Sequence, residues 1–165
     1  MKNLSEDTIA IDSVRASRAG HTFHERWTAR RSLQLVFPKD DLFAIAVEGL
    51  STNEIAEPGD EAADIADLIL YYRQGDTFQT CRALQTLQFK YKVIPEPVTS
   101  SYLKKTIEKF AATLLGYEND YDQAEIDEKL SFGFVTNSNF SDQLWDAICC
   151  LATGSEPNDI YPGVL

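Results

Sequence analysis

Three polar side chains in a predicted pair of strands have the types needed for phosphoryl chemistry. Asp67 opens one apolar strand segment, and Gln88 and Lys90 lie two residues apart in the next. Because side chains alternate between the faces of a strand, Gln88 and Lys90 share a face. Magnesium prefers oxygen ligands, which Asp67, Gln88 and the backbone carbonyl of Phe89 would supply. The Lys90 ammonium would orient the attacking water or neutralise the phosphate. The pattern predicts a divalent-metal site beside a phosphate.

Further carboxylates lie where the neighbouring elements would bring them to this site. Glu48 ends the strand before Asp67, and Glu25 lies on the first predicted helix. Either acid would supply a second carboxylate to the metal. Asp64 competes with Asp67 for the main ligand position, because both precede the apolar run that begins at Leu68. Asp67 is the favoured ligand because it directly precedes that run.

The elements that would position these residues follow from periodicity and from turn residues. Helical spacing predicts a first helix from about Ala19 to Leu35, ended by Pro38. Short runs of branched and aromatic residues then predict three strands. These strands cover Asp41 to Gly49, Ile65 to Tyr72, and Leu84 to Val93.

The second half of the chain alternates helix, strand and helix. Thr99 or Ser100 is expected to cap an amphipathic helix that ends at Gly116. Its predicted apolar stripe consists of Leu103, Ile107, Phe110, Ala111 and Leu114. A short acidic helix between 122 and 130 and a strand from 131 to 136 are expected next. Ser141 would cap a last helix whose inward residues are Leu144, Trp145, Ile148 and Leu151.

Composition limits the class of protein. The chain of 165 residues is 44% apolar, which favours one globular domain with a sizeable core. No apolar run approaches the roughly 20 residues needed to cross a bilayer, so no membrane association is expected. Three cysteines without zinc-type spacing indicate a reduced, cytoplasmic protein. The net charge of −11 means that tight DNA binding would need a metal, oligomerisation or another domain.

The combination of a helix with Glu25, an acid before the second strand and Q-x-K in the third resembles the PD-(D/E)xK nuclease superfamily. Four local patterns add detail: Gly20-x-x-Phe23-x-x-Arg26, VEG at 47–49, QFK at 88–90 and FVTN at 134–137. Together these patterns resemble the N-terminal double-stranded DNA endonuclease domain of bacterial anti-phage effectors. Those effectors are CBASS proteins with a SAVED sensor and antiviral STAND ATPases. The similarity spans roughly residues 16 to 151.

This resemblance implies an α/β fold with a restriction-endonuclease-like α-β-β-β-α-β core, in which helices flank a mixed central sheet. It implies a metal-dependent endonuclease that cuts double-stranded DNA and is active as a homo-oligomer in a longer protein. Residues 1–16 would form an arm, 17–153 the nuclease domain, and 154–165 the start of a linker to a sensor module. Asp67, Gln88 and Lys90 would be catalytic. Mg²⁺, or Mn²⁺ in its place, would bind Asp67, Gln88, Glu48 and Glu25, with Asp64 as the alternative to Asp67.

A second interpretation needs no catalysis. The acidity of the chain and the two competing acids also fit an inactive, nuclease-like domain for protein interaction and assembly. In that case Gln88 and Lys90 would be solvated polar residues on the outer face of an amphipathic strand.

Overall fold

Four helices and four strands make up the described part of the chain, which comprises residues 4–37, 41–51 and 66–153 of a computed structural model. Their order is one helix, three strands, two helices, one strand and a final helix, as the sequence predicts. The helices are α1 (Leu4–Ser32), α2 (Ser100–Asp120), α3 (Gln123–Lys129) and α4 (Asp142–Ala152), and a short 3-10 helix, Leu33–Val36, follows α1. The strands are β1 (Leu42–Val47), β2 (Leu68–Tyr72), β3 (Ala83–Lys90) and β4 (Leu130–Thr136).

The strands form one mixed sheet in the order β1-β2-β3-β4. β1 and β2 are antiparallel, as are β2 and β3, whereas β4 runs parallel to β3. The middle strands are covered on both faces, and Leu68, Ile69, Leu70 and Tyr71 have no exposed surface. A strand buried on both faces shows a continuous apolar run rather than alternation. The structure thus confirms an α/β fold with helices flanking a mixed four-stranded sheet.

Different helices cover the two faces of the sheet. Leu68, Leu70 and Phe89 lie in the cluster that Phe23 and Trp27 of α1 cover. The ring centroids of Phe23 and Phe89 are 6.4 Å apart. We call this side the α1 face.

The opposite side, here the α3 face, carries the larger core cluster. Ile69, Tyr71 and Leu84 pack there with Phe78 and with Ile126 of α3. Alternation along β3 therefore places Gln88 and Lys90 on the α3 face, because Phe89 between them lies on the α1 face.

The first helix begins earlier than predicted. It starts at Leu4 rather than near Ala19, so the backbone of residues 4–16 of the predicted arm is helical. It ends at Ser32, and the 3-10 helix covers the rest of the predicted span. The predicted linker, 154–165, lies outside the described residues.

The predicted end of α2 at Gly116 is wrong. The cap at Thr99 is confirmed, since its side chain accepts a hydrogen bond from the Tyr102 amide, but the helix continues to Asp120. The last turns bring the ring centroids of Tyr117 and Tyr121 to 4.6 and 4.4 Å from the ring centroid of Phe78. The helix cost of one glycine is only about 1 kcal/mol, and aromatic packing offsets it.

The inward faces of two helices also differ from prediction. In α2, Ile107 is 55% exposed and Ala111 is exposed, whereas Thr106 and Thr113 are buried. This rotation of the helix allows Phe110 to stack on Phe132 of β4 at 4.8 Å. In α4 the cap at Ser141 and the burial of Leu144 are confirmed. The other three predicted inward residues are partly exposed: Trp145 at 54%, Ile148 at 37% and Leu151 at 65%.

Two glycine substitutions test the packing of β4 and the continuity of α2. A Cβ at Gly133 of β4 would lie 2.4 Å from Cδ2 of Leu87, which is only 3% exposed and cannot easily move. We expect Gly133→Ala to lower the free energy of unfolding by about 1–3 kcal/mol, as overpacking does. Unfolding in urea, followed by circular dichroism, measures this change.

Gly116→Ala is the matched control, because no heavy atom lies within 4 Å of the added Cβ. In a continuous helix this substitution should raise the unfolding free energy by about 0.5–1 kcal/mol. Destabilisation by Gly116→Ala would contradict the continuity of α2, and an unchanged Gly133→Ala variant would contradict the close contact of β4 with Leu87.

Candidate active site

The predicted site residues gather at the end of the sheet where β1 and β3 finish and β2 begins. Val47 pairs with Leu68, which in turn pairs with Leu87. One position further on, the Glu48 amide donates to the Asp67 carbonyl at 3.2 Å. The Asp67 amide donates to the Leu87 carbonyl at 3.1 Å. Glu48, Asp67 and Gln88 therefore occupy adjacent positions on three neighbouring strands.

The Asp67 carboxylate holds the end of β3. Its Oδ2 accepts hydrogen bonds from the Gln88 side-chain Nε2 and from the Phe89 backbone amide, both at 2.5 Å. The strand pairing of β2 begins only at Leu68, so the carboxylate takes the place of a strand partner for the Phe89 amide. Hydrogen bonds to a charged acceptor are shorter and stronger than those between neutral groups.

The orientation of Gln88 follows from that contact. A carboxylate only accepts hydrogen bonds, so the Gln88 amide must turn its NH₂ group towards Asp67. Its Oε1 is then left buried without a hydrogen-bond partner among the described residues. Gln88 is only 5% exposed, which is incompatible with a solvated polar residue on an outer strand face. A buried acceptor without a donor costs about 1–3 kcal/mol and requires an explanation.

Lys90 is the unanchored cation of the site. It is half-buried, on the same face as Gln88, and makes no hydrogen bond or ion pair within the described ranges. Lys92, two residues further on, is held firmly. Its Nζ donates to the carbonyls of Glu96 and Pro97, each at 3.2 Å, and lies 4.4 Å from the Tyr102 ring centroid. The Lys90 ammonium can therefore contact a ligand without breaking a described interaction.

Asn137 fixes the strand end that carries Lys90, and only the FVTN pattern singles it out in the sequence. Its side chain exchanges two hydrogen bonds with the backbone of Lys92, each 2.8 Å long. The amide thereby extends the pairing of β3 with β4 past Thr136, where the strand ends. In a sequence, an asparagine after a strand usually indicates a turn. The pairing of Asn137 with Lys92 could not be read from the sequence, because it depends on the tertiary fold.

Glu48 is brought to the site through its backbone. It follows β1 with a φ of 55°, in the left-handed region, and Gly49 follows with a φ of 143°. A non-glycine residue in that region carries strain of about 1–2 kcal/mol. The Glu48 carboxylate is exposed at the sheet end, and the described hydrogen bonds join it to Asp67 only through the main chain.

The structure does not bring Glu25 to the other predicted ligands. α1 packs on the α1 face through Phe23 and Trp27, whereas Gln88 and Lys90 lie on the α3 face. Glu25 is about 200° around the helix from Phe23, which directs it away from the sheet, and it is exposed. Asp64, the alternative to Asp67, lies outside the described residues.

The described side chains therefore assemble a smaller ligand set than the four-residue prediction. Within residues 17–37, 41–51 and 66–153, no three His, Cys, Asp or Glu side chains form a group that could hold a metal. The assembled oxygen donors are one carboxylate, of Asp67, and one amide oxygen, of Gln88, with Glu48 next to them on β1. Such a set suits a cation that keeps several water ligands, as Mg²⁺ does.

No protein-family model matches the chain, and no curated protein matches it. Among the described helices, none is both long enough and apolar enough to span a bilayer.

Removing the Asp67 carboxylate tests its role in holding β3. We expect Asp67→Ala to lower the free energy of unfolding by about 2–4 kcal/mol, because it leaves the Phe89 amide and the Gln88 NH₂ without an acceptor. Glu48→Ala removes a carboxylate at the same sheet end that accepts no described hydrogen bond, and it should change stability by less than about 0.5 kcal/mol. Chemical denaturation of both variants measures the difference, and equal stability would contradict the role given to Asp67.

Proposed function

We propose that this chain is a metal-dependent endonuclease domain that hydrolyses phosphodiester bonds of double-stranded DNA. The observation that carries the proposal is the buried Oε1 of Gln88, which has no partner among the described residues and lies beside the Asp67 carboxylate. Lys90 on the same strand face adds a cation without a described partner. An acid, an oriented oxygen and an ammonium form a site for a phosphate that arrives with a divalent ion.

The residues present fit Mg²⁺, with Mn²⁺ as a substitute. Asp67 and Gln88 would hold the ion, and Glu48 on the adjacent strand is the nearest further carboxylate. The fit rests on Gln88 Oε1, a buried oxygen that no described residue satisfies and that a bound cation would satisfy. When bound, the ion would supply Lewis-acid polarisation of the phosphate.

The protein groups have separate roles in this proposal. Asp67 fixes the Gln88 amide through the hydrogen bond to Nε2, so the oxygen ligand needs little reorganisation. Lys90 stabilises the negative charge that develops on the phosphate and orients the attacking water. Asn137 positions the strand end from which Lys90 projects.

The fold is compatible with the proposal in its general architecture, without bearing on the individual site residues. The order of elements and the mixed sheet are compatible with a restriction-endonuclease-like core, and the resemblance to anti-phage effectors points to a defence role. No disulfide bond joins Cys81, Cys149 and Cys150, which is compatible with a reducing compartment such as the cytoplasm. A net charge of −11 opposes DNA binding by one copy. The resemblance implies that the active form is a homo-oligomer, in which several sites contact the same DNA.

An assembly domain is the second candidate, favoured by an exposed apolar surface beside β1. Val36 is 73% exposed, Phe37 58%, Phe43 56% and Val47 55%. Edge strands with exposed apolar side chains favour association with another copy. If assembly were the sole function, substitutions at Val36 and Phe43 would change the oligomeric state, and no metal-dependent cleavage would be found.

Loss of the Lys90 ammonium tests the nuclease proposal. We expect Lys90→Ala to cut linear duplex DNA on the order of 100-fold more slowly in Mg²⁺ or Mn²⁺, because one charge-stabilising donor is lost. Its unfolding free energy should stay within about 0.5 kcal/mol of wild type. Gel-based cleavage assays on the purified protein, run at several protein concentrations, measure the rate.

Lys104→Ala is the matched control, since Lys104 on α2 is a surface lysine whose side chain is 74% exposed. It should cut at the wild-type rate. Wild-type cleavage by a folded Lys90→Ala variant would rule out the assigned role, and equal loss in both variants would indicate only a general charge effect.

A further inference from the structure

An aromatic cleft lies along the outer edge of β4. Its walls include the rings of Trp27, Phe134, Phe140 and Trp145, and its volume is about 600 Å³. This volume is within the roughly 300–1,000 Å³ range of small-molecule sites. The cleft draws one wall from α1 and another from α4, so it spans the edge of the sheet.

Ser138 gives the cleft a polar group without a partner. The residue lines the cleft and is only 9% exposed. Its Oγ is buried and makes no hydrogen bond with any described residue. Because a buried hydroxyl without a partner is destabilising, this atom indicates a ligand that donates to it or accepts from it.

The lining selects the chemistry of that ligand. The residues lining the cleft include no lysine or arginine, and they do include Asp142. A phosphate would be repelled by this carboxylate and would find no cation among the described lining residues, since the Arg30 guanidinium lies over the Trp27 ring, 5.4 Å from its centroid, and does not line the cleft. Phe140 and Trp145 are nearly parallel, with an interplanar angle of 21° and centroids 6.2 Å apart. Flat aromatic walls, a hydroxyl and a carboxylate suit a neutral planar ring with amino groups, which is a nucleobase.

The position of the cleft relates it to the candidate active site. Val135 and Thr136 line the cleft and pair with Phe89 and Lys90. Neighbouring strands are about 4.8 Å apart, so the cleft begins one strand away from the lysine. A nucleotide whose phosphate contacts Lys90 has its base within reach of this edge.

We propose that the cleft between Trp27 and Trp145 binds one unstacked nucleobase, with the Ser138 hydroxyl as its hydrogen-bonding group. The choice of a base from a DNA strand rests on the proposed nuclease function, whereas the choice of a nucleobase rests on the cleft alone. In this assignment the base is read beside the cleaved strand and the phosphate lies outside, towards Lys90.

Tryptophan fluorescence tests this directly, because the two tryptophans of the chain both line the cleft. Metal-free protein is titrated with adenosine, with a short single-stranded oligonucleotide, and with an abasic oligonucleotide of the same length. We expect saturable quenching by the first two and none by the abasic strand. Tighter binding of the oligonucleotide would identify the source as a DNA strand, and equal binding of adenosine would identify a free nucleoside.

Two variants distinguish a binding role from a structural one. Ser138→Ala should weaken binding roughly 5-fold, which corresponds to one hydrogen bond, while its melting temperature stays level or rises, since an unsatisfied hydroxyl is removed. Trp145→Ala should weaken binding roughly 10-fold or more through lost stacking. Lys104→Ala, which changes only an exposed lysine of α2, should quench as wild type does and serves as the control.

Several results would overturn the assignment. These are no saturable quenching, equal quenching by the abasic strand, or a Ser138→Ala variant that binds as tightly as wild type. If cleavage is never observed but base-dependent quenching is, the nuclease proposal fails and the nucleobase site remains.

Discussion

The site depends on one atom, Asp67 Oδ2, which accepts two hydrogen bonds at the end of the sheet. One donor is the backbone amide of Phe89, which has no strand partner where β2 has not yet begun. The other is the Gln88 side chain, whose orientation is thereby fixed. A single carboxylate thus completes the sheet and aims a buried oxygen. The same atoms that stabilise the strand end create the unsatisfied acceptor that a cation would fill.

The burial of Gln88 makes its unpaired oxygen energetically costly. Gln88 lies on a central strand with helices over both faces, and a polar atom there has little access to bulk water. In such surroundings an unpaired oxygen is costly, and its attraction for a cation is correspondingly strong. Lys90, two residues nearer the strand end, is only half-buried, and its ammonium makes no described hydrogen bond or ion pair. The buried Gln88 amide and the half-buried Lys90 amine therefore lie on one strand, with the amine nearer to solvent, from which a phosphate would enter.

A second polar atom at the edge of β4 is also buried without a described hydrogen-bond partner. Ser138 Oγ and Gln88 Oε1 are both buried without described partners, and they lie on either side of the β3–β4 pairing. One is beside a carboxylate and a lysine, and the other is among aromatic rings. These surroundings suit the two halves of a nucleotide, its phosphate and its base.

Much of the fold was predictable because its local signals agree with its packing. Runs such as LILYY and the caps at Thr99 and Ser141 specify strands and helix starts by themselves. The end of α2 was not predictable, since the packing of Tyr117 and Tyr121 on Phe78 outweighs Gly116. Of the site, Asp67, Gln88 and Lys90 could be selected by type and spacing. The sequence could not show that α1 turns Glu25 away, or that Asp67 bonds the Phe89 amide, because both depend on register and on which face each helix covers.

A crystal structure of the protein grown with Mn²⁺ tests the central claim most directly, since the anomalous signal locates the ion without assumptions about its ligands. The account predicts a manganese peak within about 2.3 Å of both Gln88 Oε1 and an Asp67 carboxylate oxygen, and no such peak in Asp67→Asn crystals. A well-ordered structure with Gln88 Oε1 bound only to water, and with manganese absent or elsewhere, would contradict it.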